Sequence, residues 1–282
     1  MPYLVSGLAD LPGSLQQAAM QSAGPAEELI SICVFPGRTH LKDWYSREEV
    51  LEQALLFTKN GLLHIQAPAA SDQAARIVSM PAVDLLYARL SLILMYGRLE
   101  LVDKSLSRVV VEFNAAGFDM IRPGLQSFLG TSYGKNAIPR PNAVLTNSVL
   151  SELGERSYKF MNGLKLYGLL PGEQVLGFIF QPGLWGRRWR ILPMRMSETT
   201  LLAITDKQLI IVEEQSRSRF PAYGWILTFH PRHAIEKMSV TSRLRWQEVT
   251  IKMKSSTDMI DRGILLDQAN ASAWQELWSR CQ

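Results

Sequence analysis

The stretch Thr199-Thr200-Leu201-Leu202-Ala203-Ile204-Thr205-Asp206-Lys207-Gln208-Leu209-Ile210-Ile211-Val212 reads as two short strands around a polar turn. An apolar run climbs to Thr205, polar residues interrupt it, and a second apolar run rich in β-branched residues follows. The stretch has an echo in Ala54-Leu55-Leu56-Phe57-Thr58-Lys59-Asn60-Gly61-Leu62-Leu63-His64-Ile65. There the turn contains Asn-Gly, a strong hairpin signal because both residues tolerate positive φ. The chain therefore reads as one β-rich module written twice.

Matching positions extend the repeat in both directions. Pro36 pairs with Pro182, Thr58 with Thr205, Tyr96 with Trp246 and Glu112 with Asp267. The separation grows slowly along the chain, as expected if loops lengthened and strand order was kept. The spacing sets an extension over 1–24, a first module over 25–130, a connector over 131–170 and a second module over 171–282. A chain of 282 residues suits two such modules.

With 47% apolar and 20% charged residues, both modules can bury a core. The first module carries 10 basic and 12 acidic residues, and the second 15 and 11, so the positive charge sits in the second half. A basic module suits an anionic partner. Cys33 and Cys281 are far apart, in no metal-like spacing, and read as buried thiols of a reduced compartment. The start of the chain has no basic, apolar leader pattern. The longest apolar run, Leu85–Tyr96, contains Arg89 and falls far short of the ~20 residues a bilayer span needs. These features place the protein in the cytoplasm, with no transmembrane segment.

Taken in order, the pattern predicts a short helix over Ser14–Ser22 and a strand over Glu27–Phe35. An acidic helical turn over Arg47–Gln53, the first echo and a strand near Arg76–Met80 follow. Next come a β-rich run over Leu85–Val102 broken near Tyr96-Gly97, a strand over Arg108–Glu112 and a helix from Phe118 to Phe128. Pro123 should kink or split that helix. The connector predicts one helix over Asn147–Tyr167, placed to pack between the modules. In the second module, strands are expected at Val175–Phe180, Leu201–Glu213, Trp225–Phe229, Ile235–Val240, Gln247–Met253 and Gly263–Asp267. A final helix over Ala271–Cys281 sets Trp274, Leu277, Trp278 and Cys281 on one face.

Seven short strands and an amphipathic helix outline a pleckstrin-homology-like barrel. Leu170-Pro171-Gly172-Glu173, then Leu202-Ala203-Ile204-Thr205-Asp206-Lys207-Gln208-Leu209-Ile210-Ile211-Val212, then a helix with Trp274, resemble bacterial PH-like and GRAM-type domains. The resemblance covers 171–282 well and 25–130 more loosely, since the first copy has Phe118 rather than Trp near its final helix. It implies a mainly β (α+β) fold of two partly open barrels, each closed by a C-terminal helix and joined by a helical linker. It also implies a Trp packing that helix onto the barrel. Such domains bind phosphoinositides, peptides or proteins, so fold alone assigns no ligand.

The site candidates cluster before the second hairpin. Trp185, Arg187, Arg188, Trp189, Arg190 and Arg195 fall within Leu184–Arg195, with Arg217 and Arg219 after the hairpin extending the patch. Arginine forks match phosphate oxygens and tryptophan favours the headgroup boundary, so this segment can dock on an anionic lipid or membrane surface. The alternative packs the indoles inward and leaves the arginines as a solvated rim. Arg243-Leu244-Arg245-Trp246 reads as a strand or strand-turn junction with a solvated basic face. His230-Pro231-Arg232-His233 lacks the three or four ligands of a metal centre and reads as a turn. No catalytic motif, nucleophile–base pair or cofactor loop is evident. The expectation is a non-enzymatic, cofactor-free binding or scaffolding protein, recruited to the inner membrane face by the Arg/Trp segment. The alternative is a protein–protein adaptor without lipid affinity, and nothing favours nucleic acid.

Overall fold

The computed structural model describes residues 1–22, 29–43, 46–70, 73–133, 143–188, 192–215, 224–243 and 245–281. The first half contains β1 (Tyr3–Val5), α1 (Gly13–Ser22), β2 (Leu29–Phe35), the hairpin β3 (Arg38–Asp43) and β4 (Ser46–Val50), the hairpin β5 (Gln53–Thr58) and β6 (Gly61–Gln66), and β7 (Arg76–Pro81). It continues with β8 (Leu85–Ile93), β9 (Tyr96–Asp103), β10 (Arg108–Asn114) and α2 (Phe118–Ser132). The second half opens with α3 (Ala143–Arg156), α4 (Tyr158–Gly163) and a π turn at Leu164–Gly168. Then come β11 (Val175–Gln181), the hairpin β12 (Leu184–Arg188) and β13 (Leu192–Ser197), the hairpin β14 (Thr200–Thr205) and β15 (Gln208–Glu214), and β16 (Gly224–Pro231). It closes with β17 (Ile235–Arg243), β18 (Trp246–Lys254), β19 (Met259–Leu266) and α5 (Gln268–Cys281). The fold is mainly β, every strand pairing is antiparallel, and the sheets form no closed barrel among the described residues.

The element order repeats, and matching atoms do matching work. Thr58 Oγ1 accepts from Gly61 N at 3.0 Å, and Thr205 Oγ1 accepts from Gln208 N at 2.9 Å. Each hydroxyl closes its own hairpin turn. Ala82 N donates to Asn60 O, and Arg232 N to Lys207 O, tying the next turn to each hairpin. One sequence match shifts: Tyr96 pairs with Asn114 on β10, so Asn114, not Glu112, is the counterpart of Asp267. Both cap the helical turn that follows, Asn114 accepting from Ala116 N and Asp267 from Asn270 N.

The repeat includes a helix before each set of strands. Helix α1 buries Leu15, Ala18 and Ala19 against Ile32, Ala54, Leu56, Leu63 and Ile65, the outer face of the first sheet. Leu153, Phe160 and Leu164 of α3, α4 and the π turn cover Leu201, Ala203, Ile210 and Val212 of the second. Within the segment read as an extension, β1 pairs with β2 and α1 packs on the first sheet. Both faces of each central hairpin are buried, which explains why these strands are apolar without alternation. The connector helix is also broken: Ser157 caps a new start at Phe160 N, so Asn147–Tyr167 is not one helix.

The halves share a sheet. Seven strands run in the order β10-β9-β8-β16-β15-β14-β11, with β8 of the first copy against β16 of the second. The other strands form a five-stranded sheet (β1-β2-β5-β6-β7), a three-stranded sheet (β17-β18-β19) and two separate hairpins, β3-β4 and β12-β13. Trp274 of α5 is 1% exposed and packs with Leu202, Leu209, Val249 and Ile251, as its helical spacing predicts. Helix α2 runs unbroken through Pro123, against expectation. The proline sits in the second turn, and apolar packing of Phe118, Ile121, Leu125 and Phe128 holds the helix on both sides of it.

The predicted acidic helical turn over Arg47–Gln53 is instead β4 followed by the start of β5. Pairing with β3 (Arg38 opposite Val50, Thr39 opposite Glu49) overrides the helical preference of Arg47-Glu48-Glu49. The segment preceding the second central hairpin is likewise an arm of two strands, β12 and β13. Arg243 ends β17 and Trp246 starts β18, so Arg243–Trp246 is the junction of a hairpin.

Candidate functional site

The arm β12–β13 projects from one end of the seven-stranded sheet, between the end of β11 and the start of β14. Trp185 lies opposite Arg195 in the ladder, Gly186 opposite Met194, Arg187 opposite Pro193 and Arg188 opposite Leu192. Trp185 is 62% exposed, and Met194 and Met196 are exposed beside it. Gly186 matters here: a Cβ would come within 2.9 Å of Met196 Cγ, so the methionine lies flat over the glycine. Trp189 and Arg190, and also Arg217 and Arg219, lie outside the described residues.

Arg195 does not fit the lipid-facing role expected of it. Its guanidinium reaches Glu198 at 2.5 Å and Glu214 at 3.5 Å, so it anchors the arm to β15. Lys159 completes the anchor, meeting Glu214 at 2.7 Å. Burial pushes the Glu214 carboxyl up, but Lys159 and Arg195 outweigh it and hold the group below its ordinary range.

A second apolar tip leaves the same end of the sheet. The β8–β9 turn exposes Leu94 and Met95, with Leu94 at φ 53°, and Tyr96 is partly exposed beside them. Ile93 pairs with Gly224 at the start of β16, while Thr200 at the start of β14 pairs with Glu213 near the end of β15. The β8–β9 turn and the arm therefore share one rim, three strand spacings apart, or about 14 Å.

Between them, on one face of the seven-stranded sheet, lies a cleft of about 460 Å³. Its walls include Arg89, Ser91, Arg98, Glu100 and Arg108 of the first copy, and Glu213 and Ile226 of the second. Glu100 is buried and held by Arg108 at 2.8 Å, Arg98 at 3.7 Å and the Tyr87 hydroxyl at 3.4 Å. Arg262 holds Glu213 at 2.5 Å. The Nε atoms of Arg89 and Arg98 and the Thr228 hydroxyl are buried without a hydrogen-bond partner. Sequence reading missed this cluster because its residues are scattered over five strands. One signal was present: Arg89 interrupts the longest apolar run, marking a polar face on an otherwise buried strand.

His64 and His230 are buried. His230 and Pro231 end β16 and Arg232–Ala234 form the turn that follows it; the His230 Nδ1 lies 3.1 Å from Met253 Sδ, and burial pushes its pKa down to about 3. His64 Nε2 meets Gln53 Oε1 at 2.9 Å, and burial lowers it to about 4. Among the described residues, no histidine is hydrogen-bonded to a serine, threonine or cysteine, and no group of three metal-type ligands occurs. Burial raises both thiols, Cys33 to about 12, which keeps them protonated. No helix among the described residues is long and apolar enough to cross a membrane.

No family model matches the chain, and no curated protein matches its sequence.

Proposed function

We propose that this chain is a non-enzymatic binding protein of two pleckstrin-homology-like modules that docks on an anionic lipid surface through the β12–β13 arm. The repeated order of four sheet strands, three further strands and a closing helix supports the module reading, as does Trp274 beneath that helix. The observation that carries the docking is Trp185, held 62% exposed on an arm bearing Arg187 and Arg188. A folded chain gains about 1.5–3 kcal/mol by burying a large apolar side chain, and here that gain is left for a partner. Near an anionic surface each arginine adds on the order of 1 kcal/mol. Leu94 and Met95, on the same rim, supply a second contact. The cytoplasmic leaflet is the anionic surface such a protein meets.

Co-sedimentation with vesicles tests this. The full chain should pellet with phosphatidylglycerol-containing vesicles and not with phosphatidylcholine alone. Added salt should weaken it, and Trp185→Ala should weaken it about tenfold. Failure to pellet with either vesicle would overturn lipid docking and return the arm to the protein-adaptor reading.

A further inference from the structure

We propose that the cleft between the two copies binds a phosphate group carried on a small hydroxylated molecule, with Arg89 as its principal counter-ion. The first argument is charge. Each carboxylate of the cleft already has a cation: Glu100 has Arg98 and Arg108, Glu213 has Arg262, and Glu198 and Glu214 have Arg195, with Lys159 also on Glu214. Arg89 has no acidic partner among the described residues. Of the three arginines that line the cleft, Arg98 and Arg108 are held by Glu100, and Arg89 is left for the anion of a ligand.

The second argument is geometry. Arg89 lies opposite Thr228 in the β8–β16 ladder, and Ser91, two residues on, lies opposite Arg98 in the β8–β9 ladder. The unpartnered Arg89 Nε, Arg98 Nε and Thr228 hydroxyl thus belong to neighbouring positions on one face. Unsatisfied buried donors are costly, and arginine is the side chain suited to forked contacts with phosphate oxygens. The third argument is the rest of the wall. Carboxylate oxygens of Glu213 and Glu214 and the Gln215 amide border the same space, and these accept from hydroxyls rather than from an apolar body. The volume of about 460 Å³ lies in the range of small-molecule sites. The site uses none of the arm residues and stands apart from the membrane reading.

The probes are inorganic phosphate and glycerol 3-phosphate, titrated calorimetrically into the full chain at fixed ionic strength. Glycerol 3-phosphate should bind more tightly than inorganic phosphate. Arg89→Gln should weaken it at least tenfold, and Ser91→Trp, which fills the cleft, should abolish binding while the circular dichroism spectrum is kept. Absence of binding to the unmodified chain would overturn the proposal. So would a folded Ser91→Trp variant that binds as the parent does. A vesicle arm separates the sources of the phosphate. Loss of phosphatidylglycerol-vesicle binding in Arg89→Gln identifies a lipid headgroup. Unchanged vesicle binding with lost glycerol 3-phosphate binding identifies a free molecule.

Discussion

Thr205 donates its hydroxyl hydrogen to Glu173 Oε1 across 2.5 Å, joining the turn of the second central hairpin to a turn 32 residues earlier. The other carboxylate oxygen accepts from Leu170 N at 2.7 Å and from Gln208 Nε2 at 3.0 Å. Gln208 in turn accepts from the Tyr133 hydroxyl at the end of α2. Leu170-Pro171-Gly172-Glu173 forms a tight turn, with Glu173 N bonded to Leu170 O and Gly172 at φ 73°, where a side chain would be strained. The Leu-Pro-Gly-Glu and Thr-Asp phrases are therefore two halves of one clasp, which also grips the first copy.

Removing that clasp should be expensive. Glu173 is buried, and burial raises its pKa despite three donated hydrogen bonds. Glu173→Ala leaves three donors unpaired and should cost about 3 kcal/mol in urea unfolding. Glu173→Gln removes the charge but turns an amide NH₂ toward a donor, and should still cost about 1–2 kcal/mol. A Gln variant as stable as the parent would show that the carboxylate is not the acceptor hub described.

Acid should unfold this protein through its two buried imidazoles. Unfolded, each titrates near 6.5; folded, His64 titrates near 4 and His230 near 3. Between those values the unfolded chain binds more protons, so stability falls as pH falls. At pH 5 each should have lost about 2 kcal/mol relative to pH 8. Glu173, with its raised pKa, acts in the opposite direction and blunts the net slope. Comparing unfolding free energies at pH 8 and pH 5, His64→Gln should shrink the acid-side loss by about 2 kcal/mol. An unchanged loss would mean that His64 is accessible to protons in the folded state.

Two glycines of α2 should respond with opposite signs. At Gly124 a Cβ would lie 2.2 Å from Phe57 Cδ2 and 2.4 Å from Ser31 Oγ, because the helix rides directly on the first sheet. Gly124→Ala should cost about 1–3 kcal/mol through overpacking. At Gly130 nothing lies within 4 Å, so Gly130→Ala should gain about 0.5–1 kcal/mol from helix propensity. Thermal melts of both variants give the signs directly.

Much of the fold could be read because local chemistry fixed it. The Thr–polar–Leu hairpins and the helical face of Trp274, Leu277, Trp278 and Cys281 are short-range patterns, and the structure carries them. Asn60-Gly61 marked the first hairpin but not its turn geometry: the turn is Lys59-Asn60, and neither Asn60 nor Gly61 has positive φ. What escaped was decided at a distance. Arg47-Glu48-Glu49 favours helix until β3 pairs with it. The doubly apolar runs Ala54–Phe57 and Leu201–Ile204 signal two buried faces, but not that α1 and α4 supply the second cover. Nothing local in Ala88 or Phe229 says that they meet across the join of the copies. For the arm, composition marked Trp185 as a candidate and the fold leaves it exposed, while the capture of Arg195 by Glu198 and Glu214 needed the fold.

That capture should separate Arg195 from its neighbours in vesicle binding. Arg195→Ala should loosen the arm and lower stability by about 1 kcal/mol, since the pairs are only partly buried. It should leave the salt dependence of vesicle binding unchanged. Arg187→Ala with Arg188→Ala should do the reverse, flattening the salt dependence with little change in melting temperature. Equal salt slopes for the parent and the Arg187/Arg188 double variant would place the charge contact elsewhere.

The shared sheet makes a last prediction about independence. Residues Gly224–Phe229 of β16 pair along the whole of Ala88–Ile93, and Phe118 of α2 meets Tyr167 edge-on with ring centroids 5.9 Å apart. Arg122 Nη2 also donates to Leu166 O at 2.5 Å. The copies should therefore not behave as two beads on a string. With a protease site inserted between residues 134 and 142, the cleaved halves should co-elute in size-exclusion chromatography and melt in one transition. The second half alone, from residue 143, would expose the β16 edge and the buried Leu227 and Phe229, and should aggregate. Separation of the cleaved halves into two soluble folded species would mean that the β8–β16 ladder is not held in solution. The cleft around Arg89, which draws its walls from both copies, would then be lost with it.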